Sequence, residues 1–227
     1  MGEIFNLENG FFRGMSKLVD CIFVSLLWII GCIPIVTIGA STTALYYTTH
    51  KVIHLDRGYI FHEFKHAFIS NFKKSTISWI ILLCIGAFLG TDAYVTYQLK
   101  QQGDKVGNVF YLIIILLLLE LIVFIFIFPY IARFEDNMKR VFKNAYFLSF
   151  GNPIKMILML VTFAVAVYMV YVLPILIVIV PTLYMLGIEQ QMEKIYKKFL
   201  PPEEEDELEK KPVDGKRYRR ERKRKGN

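Results

Sequence analysis

Residues 34–43 read PIVTIGASTT, and the apolar run CIFVSLLWIIGCI, residues 21–33, leads into them without a charge. How this stretch is read decides the fold. Pro34 lacks the N–H that would continue a helix, and Gly39 admits backbone angles that other residues resist. In hydrocarbon an unpaired N–H or C=O costs several kcal/mol, so irregular backbone there must be shielded by protein. Ser41, Thr42 and Thr43 carry hydroxyls able to bond the free N–H groups that open a following helix. No charge occurs between Cys21 and Thr49, which argues that the turn does not emerge fully into water. The expectation is a tight turn at or just below the outer interface of the bilayer, packed against other helices. Pro34, Thr37, Gly39, Ser41, Thr42 and Thr43 then form a candidate recognition surface. A turn that only joins two helices accounts for the same residues equally well.

The rest of the chain supports a membrane setting. Of 227 residues, 55% are hydrophobic, and the mean hydropathy is +0.42. Such a composition excludes disorder for most of the chain and exceeds that of ordinary soluble domains. The apolar residues lie in blocks. Val106–Phe134 holds one acidic residue, Glu120, and Ile154–Ile188 holds one charge, Lys155. About 20 apolar residues at 1.5 Å each cross the hydrocarbon, so these blocks are spanning helices. Cys21, Cys32 and Cys84 all lie in apolar runs, and their odd number and lack of CxxC spacing point to packing thiols. Met1-Gly2 opens like an acylation site, but Asn6 stands where Ser or Thr is needed. The first helix has no small-residue cleavage site after it and is read as an anchor.

Working outward, the first helix covers about 12–33 and a second about 40–55, before the turn Asp56-Arg57-Gly58. Tyr59–Lys74 is amphipathic, with Phe61, Phe64, Phe68 and Phe72 on one face and His62, Glu63, Lys65 and His66 around the rest. That pattern predicts a helix at the membrane surface. Ser75–Tyr97 is the next span and carries Gly86-x-x-x-Gly90, a packing pattern for a neighbouring helix. Val106–Phe134 returns, and Met156–Leu173 with Ile175–Ile188 forms a last hairpin turning near Pro174. Phe64-Lys65-x-Ala67-Phe68 recurs as Phe142-Lys143-x-Ala145-Tyr146, with Phe72 matching Phe150, which suggests internal duplication.

The fold class is therefore all-α: an integral membrane bundle of about six helical segments in three hairpins, with amphipathic interfacial helices on the cytoplasmic side. Residues 1–199 form this domain. Residues 51–74 and 133–155 carry five Lys/Arg each, and 98–106 carry two. Basic loops stay in the cytoplasm, so both termini are cytoplasmic in a multi-pass membrane protein. Five spans with an external N-terminus also fit if 40–55 only skims the bilayer. Residues 200–227 are acidic, then basic, with eight Lys/Arg among 216–225. This tail reads as disordered. Its basic end suits anionic lipid, at about 1 kcal/mol per cation near the surface, rather than nucleic acid. Homo-oligomer formation stays open.

Two motifs invite chemistry. His62-Glu63-Phe64-Lys65-His66 spells HExxH, in which two His bind zinc and the Glu activates water. No third ligand follows before Asp92, across the membrane, and Lys65 sets a cation inside the motif, so metal and catalysis are not expected there. His50 and His54 form a second pair at the same spacing, and a four-His site is no better supported. Glu120 sits near the centre of its span, where an ionised carboxylate costs on the order of 3 kcal/mol. It reads as a neutral group bonded to a neighbouring helix, with proton coupling or substrate contact as the functional alternative. FKNAYFLSFGNP, residues 142–153, matches the coupling loop of importer permeases poorly. No nucleotide-binding loop or cofactor motif occurs, so an ATP-driven role would need a partner.

Residues 27–47, LWIIGCIPIVTIGASTTALYY, resemble the signature of the YesL family of bacterial membrane proteins. Gly58-Tyr59-Ile60-Phe61 and the Phe-Lys elements up to residue 73 fit the same pattern. The resemblance covers about 10–199. It implies a polytopic protein of unsettled role found alongside carbohydrate importers and their regulators, and it supplies no catalytic residues. The expected function is a non-enzymatic accessory or regulatory component of carbohydrate uptake or sensing, with transport or sensor membrane proteins as partners. A small solute transporter is the alternative, and a metalloprotease the remote one. Reporter fusions at Gly2 and Asn227 should both report cytoplasm. An external Gly2 with an internal Asn227 would select five spans.

Overall fold

The computed structural model describes residues 10–102 and 104–198, with backbone only for 10–13 and Lys105. The basic run 216–225, the rest of the tail and the positions of both termini lie outside the described residues. Within them seven α-helices follow one another: α1 Gly10–Cys32, α2 Ile38–Thr48, α3 Ile60–Gln101, α4 Val109–Arg133, α5 Met138–Gly151, α6 Pro153–Val172 and α7 Val180–Tyr196. No strand occurs among the described residues. The all-α bundle expected from the blocks of apolar sequence is what forms.

Its hairpins are α1–α2, α3–α4 and α6–α7, and they differ in length. Four helices are long and apolar enough to cross a membrane: Gly14–Cys32, Ile60–Gln101, Val106–Arg133 and Pro153–Val172. α2 has 11 residues and rises about 16 Å, half of the roughly 30 Å hydrocarbon. α7 has 17 residues and carries two glutamates. The six expected segments are thus present, but two of them are short. α2 is buried almost throughout, from Gly39 to Tyr46 and at Thr48, against α1, α3, α4 and α7.

The turn at Pro34 is tighter than its sequence suggests. Only Ile33–Thr37 leaves α-geometry, with Pro34 extended and Ile35–Thr37 forming a single 3-10 turn, and α2 starts at Ile38. Ser41, Thr42 and Thr43 therefore sit inside a helix and do not cap one. Thr42 and Thr43 donate back to the carbonyls of Ile38 and Gly39, as hydroxyls in a helix interior do. Thr37 is the residue that serves the turn, donating to the Gly31 and Pro34 carbonyls at 2.6 and 2.7 Å. The indole N–H of Trp79 on α3 donates to the Ile35 carbonyl at 2.7 Å. Trp79 stands near the middle of the 42 residues of α3. The turn therefore packs beside the middle of α3, held by protein donors and acceptors, while Ile33, Ile35 and Val36 stay exposed.

α3 is the second departure. A surface helix 59–74 and a separate span 75–97 are expected, yet one helix of 42 residues, about 63 Å long, runs through both. Lys73-Lys74-Ser75-Thr76 contains no Gly or Pro to stop it. The similar segment in α5 is stopped, because Gly151-Asn152-Pro153 follows and Pro153 starts α6 as its first residue. The two copies still bury the same position, since Ala67 and Ala145 are both in the core. The phenylalanine face is split: Phe64 is buried, whereas Phe61 and Phe72 are exposed.

Gly39 is where α2 comes closest to its neighbours. A Cβ there would lie 2.5 Å from the Ser75 carbonyl oxygen, 2.7 Å from Trp79 Cβ and 2.8 Å from a Phe128 ring carbon. One of those atoms is backbone, so the contact has little room to yield. A Cβ at Gly90 would meet nothing within 4 Å. Gly39→Ala should lower stability in detergent by about 2 kcal/mol through overpacking, with Gly90→Ala close to wild type. Equal stability of the two variants in a denaturation series would contradict this packing.

Candidate functional site

The end of the bundle that carries the 55–59 and 134–137 loops gathers the charged groups. α2 does not stop cleanly at Thr48. It widens into a π-helical turn over Thr49–His54, a local unwinding often found where a helix serves function. The wider turn brings His50 and His54 together, with ring centroids 6.1 Å apart, and aims both at α7. His50 Nδ1 lies 2.7 Å from Glu189 Oε1 and 4.0 Å from Glu193 Oε1. His54 Nδ1 lies 3.1 Å from Glu189 Oε2.

The remaining members come from α4 and α2. Arg133, the last residue of α4, sets its guanidinium 3.3 Å from Glu193 Oε2. The Tyr46 hydroxyl donates to Glu193 Oε1 at 3.2 Å. Glu189 is the innermost group, its side chain 1% exposed. Leaving either glutamate unpaired here would carry the desolvation cost of a buried charge, and the arginine, tyrosine and histidines share that compensation.

Beside this cluster lies the HEFKH motif. Lys51 Nζ, also in the π-turn, lies 2.7 Å from Glu63 Oε2 and donates to the Tyr47 hydroxyl at 3.1 Å. Burial alone would lower the Lys51 pKa, but the bonds to Glu63 and Tyr47 outweigh it and hold the ammonium above its usual value. Glu63 is buried, not on the wetter face where its neighbours suggest it. The reason is local: Gly58, at φ 87°, turns the chain so that Glu63 packs directly over it. His62 stays exposed, and His66 faces the Tyr47 ring at 6.4 Å. The Glu63 carboxylate thus has an ion-pair partner that ties the π-turn to the first turn of α3.

Glu120 lies elsewhere, far along the α3–α4 hairpin. It lines an open groove of about 370 Å³ with Trp79, Leu83, Gly86, Leu117 and Phe124. Its carboxylate fits over Gly86, where a Cβ would come within 3.1 Å of Oε2. Gly86 therefore makes room for Glu120, while Gly90 one turn on faces open space. Pro34, Thr37, Gly39, Ser41, Thr42 and Thr43 share neither Glu120's groove nor the histidine–glutamate cluster. Thr43 reaches α3 through a 2.8 Å contact with the Ser75 hydroxyl, and the Trp28 indole donates to Thr42 at 3.3 Å.

Glu189, Glu193, Arg133 and Tyr46 are the members of the charged cluster that sequence reasoning passes over. The available signal is spacing: Glu189-x-x-x-Glu193 puts two carboxylates on one helical face, as His50-x-x-x-His54 does for two imidazoles. Nothing local says that the two faces meet.

The family described as "Protein of unknown function, DUF624" matches residues 21–93. That stretch holds the turn at Pro34, His50, His54 and HEFKH, and stops short of Glu120, Glu189 and Glu193. No curated protein and no solved structure matches the chain.

Glu63→Gln should destabilise the protein by about 2 kcal/mol by leaving the Lys51 ammonium without its counter-charge. The double variant Lys51→Met/Glu63→Gln should recover part of that loss. A cycle of thermal midpoints in detergent measures the coupling, and additive effects would show that the pair carries none.

Proposed function

We propose that this membrane protein is a non-enzymatic component that works through other membrane proteins, as an accessory or regulatory subunit of carbohydrate uptake or sensing. The observation that supports it best is the long α3–α4 hairpin. Beyond its contact with α2 the hairpin exposes Leu83, Ile85, Phe88, Leu112, Ile115, Leu116 and Leu118. A carboxylate and two small residues, Gly86 and Ala87, line the groove between the two helices. A carboxylate at a lipid-facing groove is costly, and a polar group on an incoming helix would relieve it. Lipid alone gives no reason to keep it. The resemblance of residues 27–47 to the YesL family supplies the carbohydrate association. The Lys51–Glu63 pair supports reading HEFKH as a structural element.

A transporter acting alone is the second reading, favoured by α2 itself. A half-length helix, entered through a Pro-broken turn and shielded by four others, is a device of solute carriers. The two readings separate in one experiment. The full chain with a photo-crosslinking residue at Leu83 or Leu117 should, in native membranes, form adducts with a permease or sensor subunit of a carbohydrate system. Proteoliposomes holding the chain alone should pass no sugar. Sugar flux without a partner, and no adduct at either position, would replace the accessory role with transport.

A further inference from the structure

We propose that His50, Glu189 and Glu193 bind one divalent first-row transition-metal ion, with Arg133 and Tyr46 orienting the Glu193 carboxylate. Nδ1 of His50 and one oxygen of each glutamate all lie within 4.8 Å of one another. Imidazole nitrogen with carboxylate oxygen is a donor set for zinc, manganese or iron, more than for magnesium, which takes oxygens alone.

The distances fit an ion after a small opening. Donors about 2.1 Å from a tetrahedral ion stand about 3.4 Å from one another. His50 to Glu189 must widen from 2.7 Å and His50 to Glu193 must close from 4.0 Å, shifts of roughly 0.6–0.7 Å that side-chain rotation supplies. Charge points the same way. Two glutamates face one guanidinium and two imidazoles, and with the imidazoles neutral, as ligation requires, a divalent cation offsets the remaining negative charge.

The second observation is Glu189 itself. Its side chain is 1% exposed, yet Oε2 has no hydrogen-bond partner. The nearest nitrogen, His54 Nδ1 at 3.1 Å, does not make a well-aligned bond. A buried carboxylate oxygen without an aligned donor is costly, and an ion held by both oxygens of Glu189 satisfies Oε2 together with Oε1. The surrounding bonds are of the kind that fix ligands. Arg133 holds Glu193 Oε2 and Tyr46 holds Oε1, as outer partners hold ligating carboxylates. An entry path exists, because His54 is 45% exposed and His50 14%.

The π-turn explains why the site forms. His50 and His54 belong to the one stretch of α2 that leaves α-geometry, and the glutamates sit one turn apart on α7. An ion here joins the first hairpin to the last, clamping Thr49–His54 onto α7. The assignment is independent of the accessory role.

The test uses the full chain, purified in detergent with a tag that lacks histidine and stripped with a chelator. Titration with zinc should show one equivalent bound per chain, at least 10-fold tighter than magnesium, with a rise in thermal midpoint. His50→Gln and Glu189→Gln should each weaken zinc binding 10-fold or more, while His62→Ala leaves it unchanged. His50 is less buried than Glu189, at 14% against 1%, so His50→Gln decides the matter if Glu189→Gln does not fold. The proposal is overturned if the wild-type chain takes up no stoichiometric zinc. It is equally overturned if folded His50→Gln binds zinc like wild type, or if His62→Ala removes binding.

Discussion

Everything in this structure follows from the need to satisfy a broken backbone inside the bundle. Pro34 ends α1, and the chain reverses beside the midpoint of α3, where lipid offers no hydrogen bonds. Thr37 and Trp79 supply the donors that the turn requires. Because the chain reverses there, α2 has room for only 11 residues before it reaches the charged end of the bundle. Its last turns then open into the π-helical stretch that delivers His50, Lys51 and His54 to α7 and α3.

Packing outweighs hydroxyl bonding in holding α2. Interhelical hydrogen bonds in membranes contribute about 0.6 kcal/mol on average, so the Thr43–Ser75 and Ser25–Thr182 contacts, at 2.8 and 2.7 Å, fix register more than they stabilise. The close approach at Gly39 is worth more, since a single methyl there meets three groups at once. The far half of the α3–α4 hairpin lacks such packing. There the two helices have chiefly one another, and the open groove holding Glu120 is the result.

The helical class was legible because apolar blocks of 20 or more residues admit few other structures. The turn at Pro34 was legible in kind, since proline, glycine and the lack of charge mark a shielded break. Its place along α3 was not, because the residue that meets the turn, Trp79, lies 44 positions away. The unbroken α3 was missed for a local reason: an amphipathic and an apolar segment look like two helices, though no residue between them stops one. Glu63 was misplaced because its neighbours are polar, while the positive φ of Gly58 and the pull of Lys51 turn it inward. The Glu189–Glu193 pair was invisible in function, as it acquires partners only when α7 packs on α2.

The most direct test of this account is whether α2 returns against α3 at the predicted level. In a chain whose Cys21, Cys32 and Cys84 are replaced, the pair Thr43→Cys/Ser75→Cys should form a disulfide under mild oxidation in membranes. Their hydroxyls stand 2.8 Å apart, close enough for disulfide geometry. Rapid intramolecular cross-linking, with both cysteines protected from bulky aqueous maleimides, is the expected result. No cross-link, together with free labelling of Thr43→Cys, would mean that α2 does not lie inside the bundle.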